Sequence, residues 1–359
     1  MMSTRSLSIF SSRHSWLSFF RLLAFSLITL FLGGYVFILV VDPYDSLPLS
    51  IPAARVPVDD QQRFFHPALA RKPYFDSAII GTSNIRLLEP RRLNEVLGGS
   101  FVNLGLDAAS AYEQSRIFGV FARHHANART VIFGIDFTWC AKQFFVKFIP
   151  PRSAGDFPTW MYDEDSYNDV LPYNGRVLRH AWRQFLHLIG VGSYQFGLDG
   201  YTVFTNPMDE YDIAKARRNI YKSEQPLEKA PVDPPVVVAP ETIAALEFPA
   251  IELLSNMLDQ LSDETVKVAF FVPYHYYFQP APGSFEAVKW NECKRRIAET
   301  FKAHDNARML DFMIHSSITT RDENYWDHKH YTVPVASQLV DLIAMGVLTD
   351  EENASFRRW

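Results

Sequence analysis

From Leu22 to Val41 the chain reads LLAFSLITLFLGGYVFILVV, without one charged side chain. A run of roughly 20 apolar residues is what an α-helix needs to cross the hydrocarbon of a bilayer. A core helix of a soluble domain usually carries a polar stripe; this run has none, so it reads as a transmembrane helix. Arg5, Arg13 and Arg21 precede it, and Asp42 and Asp45 follow. That asymmetry predicts a cytoplasmic N-terminus (1–21), a membrane segment (22–41) and an extracytoplasmic remainder. A cleaved signal peptide would have a shorter apolar region with a small-x-small site behind it, which VVDPYDSLPL does not offer. In a bacterium the chain is thus expected to be a single-pass inner-membrane protein with a periplasmic domain.

With 48% hydrophobic and 14% aromatic residues over 359, the chain can bury one large core or two modest ones. Thirty-five Lys and Arg against 40 Asp and Glu give a net charge of -5, which offers nucleic acid no overall attraction. The two cysteines, Cys140 and Cys293, are too few and too far apart to define a framework. An oxidising compartment permits a bridge between them, but free thiols are the expectation.

Residues 42–74, rich in proline and charge and without a clean period, read as a juxtamembrane segment. An α/β domain is expected over 75–348. FDSAIIG (75–81), SFVNLG (100–105) and ARTVIFGID (128–136) read as strands, with helices over Asn84–Leu97 and Ala111–His125 between them. The alternation resumes with a helix at 241–262, strand VKVAFFVP (266–273), a helix at 284–303, strand RMLDF (308–312) and a last helix from Pro334 to Met345. Such alternation marks a parallel sheet with helices on its faces. Residues 349–359 read as a tail.

About a hundred residues separate the third strand from the next helix, far beyond the few that usually connect α/β units. This insertion, at about 138–240, leaves a strand C-terminus, where parallel sheets bind ligands, so it is expected to shape the site. Within it Tyr173–Leu198 reads as helical and 223–240 as an extended loop. It carries Trp139, Trp160, Tyr162, Tyr167, Tyr173, Trp182, Tyr194 and Tyr201. Such rings can stack on sugars, but for any one of them packing into the insertion's own core is the expectation.

In IIGTSN (79–84), Ser83 directly follows a buried-type strand and opens a helix, near backbone N–H groups suited to an oxyanion. A helix N-cap serine has the same surroundings. In NYWDHKHYTVP (324–334), Asp327 and His330 lie three apart just before the last helix. A serine nucleophile needs a base, and the base a carboxylate that fixes its tautomer and stabilises its cation.

GTS, NLG, FGID and DHKH, taken together, resemble the four blocks of the SGNH/GDSL hydrolase family, over roughly 75–136 and 265–345. The resemblance implies a flavodoxin-like three-layer α/β/α fold with Ser83 as nucleophile, His330 as base and Asp327 as its partner, and no cofactor. The membrane tether and the weak first block look most like proteins that acylate exported polysaccharides. That branch implies acyl transfer to or from an exported glycan, served by a membrane-embedded acyl-supply or export protein. An esterase or deacetylase would use the same residues with water as acceptor, and a non-catalytic glycan-binding or assembly subunit would keep only the fold.

Two blocks depart from the family. The second-block glycine, an oxyanion donor, falls at Gly105 or Ala108. The third block has Asp136 where the family has Asn; an ionised carboxylate repels an oxyanion, so Asp136 must be protonated, turned away or used otherwise. His275, after the fourth strand, is expected at the same sheet edge as Ser83, either touching substrate or packing among aromatics. His328 with Asp327 and His330 has the donor types of a metal site, but no HExxH or CxxC supports one, and none is expected.

Overall fold

The apolar run is helical, and the helix outlasts it. In the computed structural model, which describes residues 13–47, 51, 53–56, 62–141, 157–164, 171, 173–191 and 197–359, helix α1 covers Arg13–Val41. Its stretch Trp16–Val41 has 26 residues, and the most apolar 18 of them have a mean hydropathy of 2.4 and are 11% buried. Length, composition and lack of cover are compatible with a single-pass membrane anchor.

The supposed irregular juxtamembrane segment contains helix α2 (Gln62–Ala70). Its Phe64, Phe65 and Leu69 belong to the main core, so the folded unit begins before Phe75. Pro67 lies inside this helix and disguises it, because proline reads as a helix breaker.

The remaining elements are β1 (Ser77–Ile80), α3 (Pro90–Leu97), β2 (Phe101–Asn103), α4 (Ala111–His124), β3 (Thr130–Ile135), α5 (Gly175–Leu188), α6 (Ile213–Tyr221), α7 (Pro240–Ala244), α8 (Ala250–Leu258), β4 (Val266–Phe271), α9 (Phe285–Lys302), β5 (Ala307–Asp311), α10 (Val333–Leu348) and β6 (Arg357–Arg358). The strands form one sheet in the order β2-β1-β3-β4-β5-β6. The first five run parallel and β6 antiparallel. Strands β1, β2 and β3 are buried along their whole length, which requires cover on both faces. Helices α4, α8 and α9 pack in one row, and α3 packs with α10 in another.

Three expected boundaries change. The helix over 84–97 is instead a 3-10 turn, Ser83–Ile85, followed by α3, because Pro90 suits only a first helical turn and holds Glu89 extended. Pro249 likewise divides the helix expected at 241–262 into α7 and α8. The tail is not free: β6 pairs Leu310 with Arg358 and Asp311 with Arg357 at the sheet edge.

Cys140 and Cys293 form a disulfide with a Cα–Cα distance of 5.8 Å, against the expectation of free thiols. The fold brings the start of the insertion against α9, a juxtaposition that spacing could not reveal. The bridge joins residues 153 apart, and closing a loop of that order stabilises by roughly 5 kcal/mol in the chain-entropy account. Cys140→Ser with Cys293→Ser is therefore expected to lower the guanidinium midpoint of the detergent-solubilised chain strongly, and reductant to do the same to the wild type alone.

Candidate active site

Beyond Ile80 the chain turns sharply at the C-terminal edge of the sheet, with Thr82 extended and Ser83–Ile85 in the 3-10 turn. Ile85 is fully buried and presses on the neighbouring strand: a Cβ on Gly134 would lie 2.2 Å from Ile85 Cγ2. The missing side chain at Gly134 lets the turn that carries Ser83 lie close to β3. Gly134→Ala is expected to cost about 1–3 kcal/mol by overpacking. It should also slow labelling of Ser83 by a serine-directed probe, which denaturant titration and labelling rates would measure together.

Asn103, at the end of β2, clamps the same turn. Its Nδ2 donates to Ile85 O at 2.8 Å and Leu88 O at 3.0 Å, and its Oδ1 accepts the Gly105 N–H at 3.1 Å. The Gly105 N–H is thus spent inside the fold and is not an oxyanion donor. Ala108 keeps the role open. It is exposed in the left-handed region at φ 45°, and its N–H meets no acceptor among the described residues.

Asp136 is used otherwise. Its Oδ2 accepts from Thr82 Oγ1 at 2.7 Å, and its Oδ1 from Thr138 N at 2.9 Å and Thr138 Oγ1 at 2.6 Å. It is buried, caps the 3-10 turn Phe137–Trp139 and fixes the residue before Ser83. It is a positioning acceptor, in place of the oxyanion-facing side chain its block position suggests. Burial, and after it Asp136, push the nearby Tyr274 hydroxyl well above the ordinary tyrosine value, so it stays protonated.

The loop before α10 is closed on itself and fastened down. Tyr325 and Tyr331 form an antiparallel bridge, and Trp326 N donates to His330 O at 2.9 Å. Both tyrosines are fully buried. The Tyr325 hydroxyl donates to Pro273 O at 2.8 Å, and the Tyr331 hydroxyl to the carbonyl of Asn84, next to the serine. Tyr331 therefore ties the acid–base loop to the nucleophile turn. Sequence reasoning missed both tyrosines, although they bracket the Asp-x-x-His segment symmetrically.

This packing brings the three expected residues together. Ser83 Oγ lies 2.9 Å from His330 Nε2, and His330 Nδ1 lies 2.8 Å from Asp327 Oδ2. Asp327 Oδ1 accepts the backbone N–H groups of Lys329 at 2.7 Å and His330 at 2.9 Å. Burial raises the Asp327 carboxyl, but the bond to His330, its charge and these two amides together outweigh it and hold the group at about 2. An ionised Asp327 favours the proton on Nδ1, which leaves Nε2 to accept from the serine hydroxyl.

Asp327 and His330 line a cavity of ≈ 410 Å³ together with Arg86, Asp107, Phe204, Lys215 and Trp326 among others. Phe204 stands edge-on to His330 at 5.4 Å, and the Arg86 guanidinium lies over the Phe204 ring at 4.8 Å. Phe204 and Lys215 come from the insertion, which thus forms part of the wall. Of the aromatics noted in the sequence, Trp139 and Tyr162 are buried, Tyr173 and Trp182 lie on the surface beside α1, and Tyr167 and Tyr194 are outside the described residues. None of the four described ones lines the cavity.

His275 is not in this cavity. It is buried between Tyr221 and Tyr325, its Nδ1 accepts from Tyr277 N at 3.2 Å, and its Nε2 lies 3.3 Å from Asp322 Oδ1 without hydrogen-bond alignment. Burial lowers its pKa, so it reads as a structural, neutral histidine. His328 packs on Phe278 at 4.2 Å, and among the described residues no group of three His, Cys, Asp or Glu is placed to hold a metal.

The chain matches no known family model and no curated protein. What is established on geometry is a serine–histidine–aspartate relay at the C-terminal edge of a mostly parallel α/β sheet.

Proposed function

We propose that this chain is a membrane-anchored serine acyltransferase of the SGNH/GDSL type, acting on the hydroxyls of an exported polysaccharide. The observation that carries the reading is the continuous relay Ser83–His330–Asp327 at 2.9 and 2.8 Å, at the wall of a cavity able to hold a substrate. The strand order 2-1-3-4-5 is that of flavodoxin-like sheets, which supports the fold type. Asp136, the strongest objection in the sequence, is occupied by Thr82 and Thr138, which supports an active enzyme over an inactive relative. The disulfide suits an oxidising, extracytoplasmic location.

In the first half-reaction His330 Nε2 takes the Ser83 proton as Oγ attacks the acyl carbonyl of the donor. The backbone N–H groups of Ser83 and Ala108 are the donors for the oxyanion. Collapse breaks the bond to the donor's leaving atom, which receives the proton from His330, and leaves an ester on Ser83. An acceptor hydroxyl then gives its proton to His330 and attacks this ester; Ser83 departs and recovers the proton. Asp327 remains ionised throughout and stabilises the imidazolium. The acyl donor reaches the site from a membrane-embedded supply protein, beside which the anchor holds the domain.

The test is covalent labelling of the full chain with a fluorophosphonate, paired with glycan acylation in cells. Labelling that depends on Ser83, with acylation lost on deletion, is the expected pair. Equal labelling of Ser83→Ala and wild type would refute the triad, and a gain of acylation on deletion would make the enzyme an esterase.

A further inference from the structure

Helix α5 leaves an apolar face bare beside α1, the one helix among the described residues long and apolar enough to cross a membrane. Tyr173, just before α5, lies 4.3 Å from Phe31 and 6.1 Å from Tyr35 of α1, ring to ring. Phe37 meets Phe185 at 5.7 Å and Trp182 at 6.3 Å. A Cβ on Gly34 would come 2.7 Å from the Tyr173 hydroxyl, so α1 is notched to receive this ring. The last turns of α1 are thereby fastened to α5.

Around its axis α5 has three faces. Val177, His180, Ala181 and Gln184 are buried against the domain. Leu178 and Trp182, one turn apart, are 37% and 54% exposed, and Ile189 and Val191 beyond the helix end are 54% and 53% exposed. Arg176 and Arg179 lie along the remaining flank. An apolar stripe with an arginine border is the pattern of a helix lying in a membrane interface.

The depth agrees. From Trp16 to Gly33 every residue of α1 is exposed, whereas Ile38 and Val41 are buried in the domain core, so the outer bilayer boundary falls between Gly34 and Phe37. At 1.5 Å per residue Phe31 lies about 5–9 Å below that boundary and Phe37 at it, so Tyr173 and Trp182, which touch them, stand between the headgroups and the outer acyl chains, where Trp and Tyr concentrate. Exposed apolar side chains also surround the α1 end elsewhere: Ile51, whose N–H bonds to Val40 O, is 41% exposed.

We infer that α5 is a second membrane contact, with Leu178, Trp182 and Ile189 seated in the acyl boundary of an anionic bilayer and Arg176 and Arg179 at its phosphates. The inference rests on reading α1 as the anchor. Two contacts fix the domain's tilt and rotation on the membrane, so the cavity wall at His330 faces one constant direction instead of swinging on a single tether.

Both cysteines are bridged, so one introduced cysteine is a unique thiol. The full chain carrying Leu178→Cys, Trp182→Cys or Ile189→Cys would be spin-labelled in vesicles of phosphatidylethanolamine and phosphatidylglycerol. Leu30→Cys on α1 and Val237→Cys, at a position 95% exposed, serve as references. Collision with oxygen relative to a water-soluble nickel chelate is expected to be several-fold higher at these three positions than at Val237→Cys, approaching that at Leu30→Cys. Values matching Val237→Cys while Leu30→Cys stays oxygen-rich would overturn the α5 contact and leave the anchor standing. Labels shielded from both reagents would mean a protein partner on this face and would also overturn it. Water access at Leu30→Cys itself would remove the anchor, and this inference with it.

Discussion

Ser83→Ala is expected to lower acyl turnover by roughly four to six orders of magnitude, and His330→Ala by a similar factor, with the double variant scarcely worse than either. The non-additivity follows from the 2.9 Å contact between Ser83 Oγ and His330 Nε2: each group is useful only through the other. Asp327→Asn should cost roughly 10⁴-fold, because an amide beside Nδ1 no longer selects the tautomer that leaves Nε2 free to accept. The Asp327 carboxyl is held at about 2, so the substitution removes a charge that is present at any working pH. Steady-state hydrolysis of an activated acyl ester by the three variants and the double checks all of this. Additive losses for Ser83→Ala and His330→Ala would show that the two do not act as a unit.

The second large effect is on stability. Lys294 Nζ donates to both oxygens of Asp311, at 2.8 and 2.7 Å, and to Met313 O at 2.9 Å, with the two side chains only 4% and 2% exposed. Removing one partner strands the other as a buried charge. Lys294→Met is expected to destabilise by about 3–5 kcal/mol, whereas Lys294→Met with Asp311→Leu should recover much of the loss. Denaturant titration of the two variants measures both. A double variant as unstable as the single one would mean that the hydrogen bonds, and not the stranded carboxylate, dominate.

The sheet was legible because its strands are short, β-branched and separated by helix-length segments, a pattern set by local chemistry. Ser83, Asp327 and His330 were legible because each lies at a strand end or just before a helix. The failures came where tertiary contact decides. Pro67 concealed α2, whose phenylalanines matter only through the core they join. Gly105 looked like an oxyanion donor until Asn103 claimed its N–H, and Asp136 looked like a defect until Thr82 and Thr138 saturated it. Nothing local in the sequence announces that Tyr331 bonds to Asn84, or that Cys140 meets Cys293.

The serine and its base are 247 residues apart in the chain. Synthesis proceeds at about 5–20 residues per second, so Ser83 is joined to the chain roughly 12–50 seconds before His330 is. During that interval Ser83 is an ordinary alcohol. On the proposed mechanism, a chain halted during synthesis before His330 is made is expected to be inert toward acyl donors, and the chemistry waits until the segment up to α10 has folded onto the Ser83 turn.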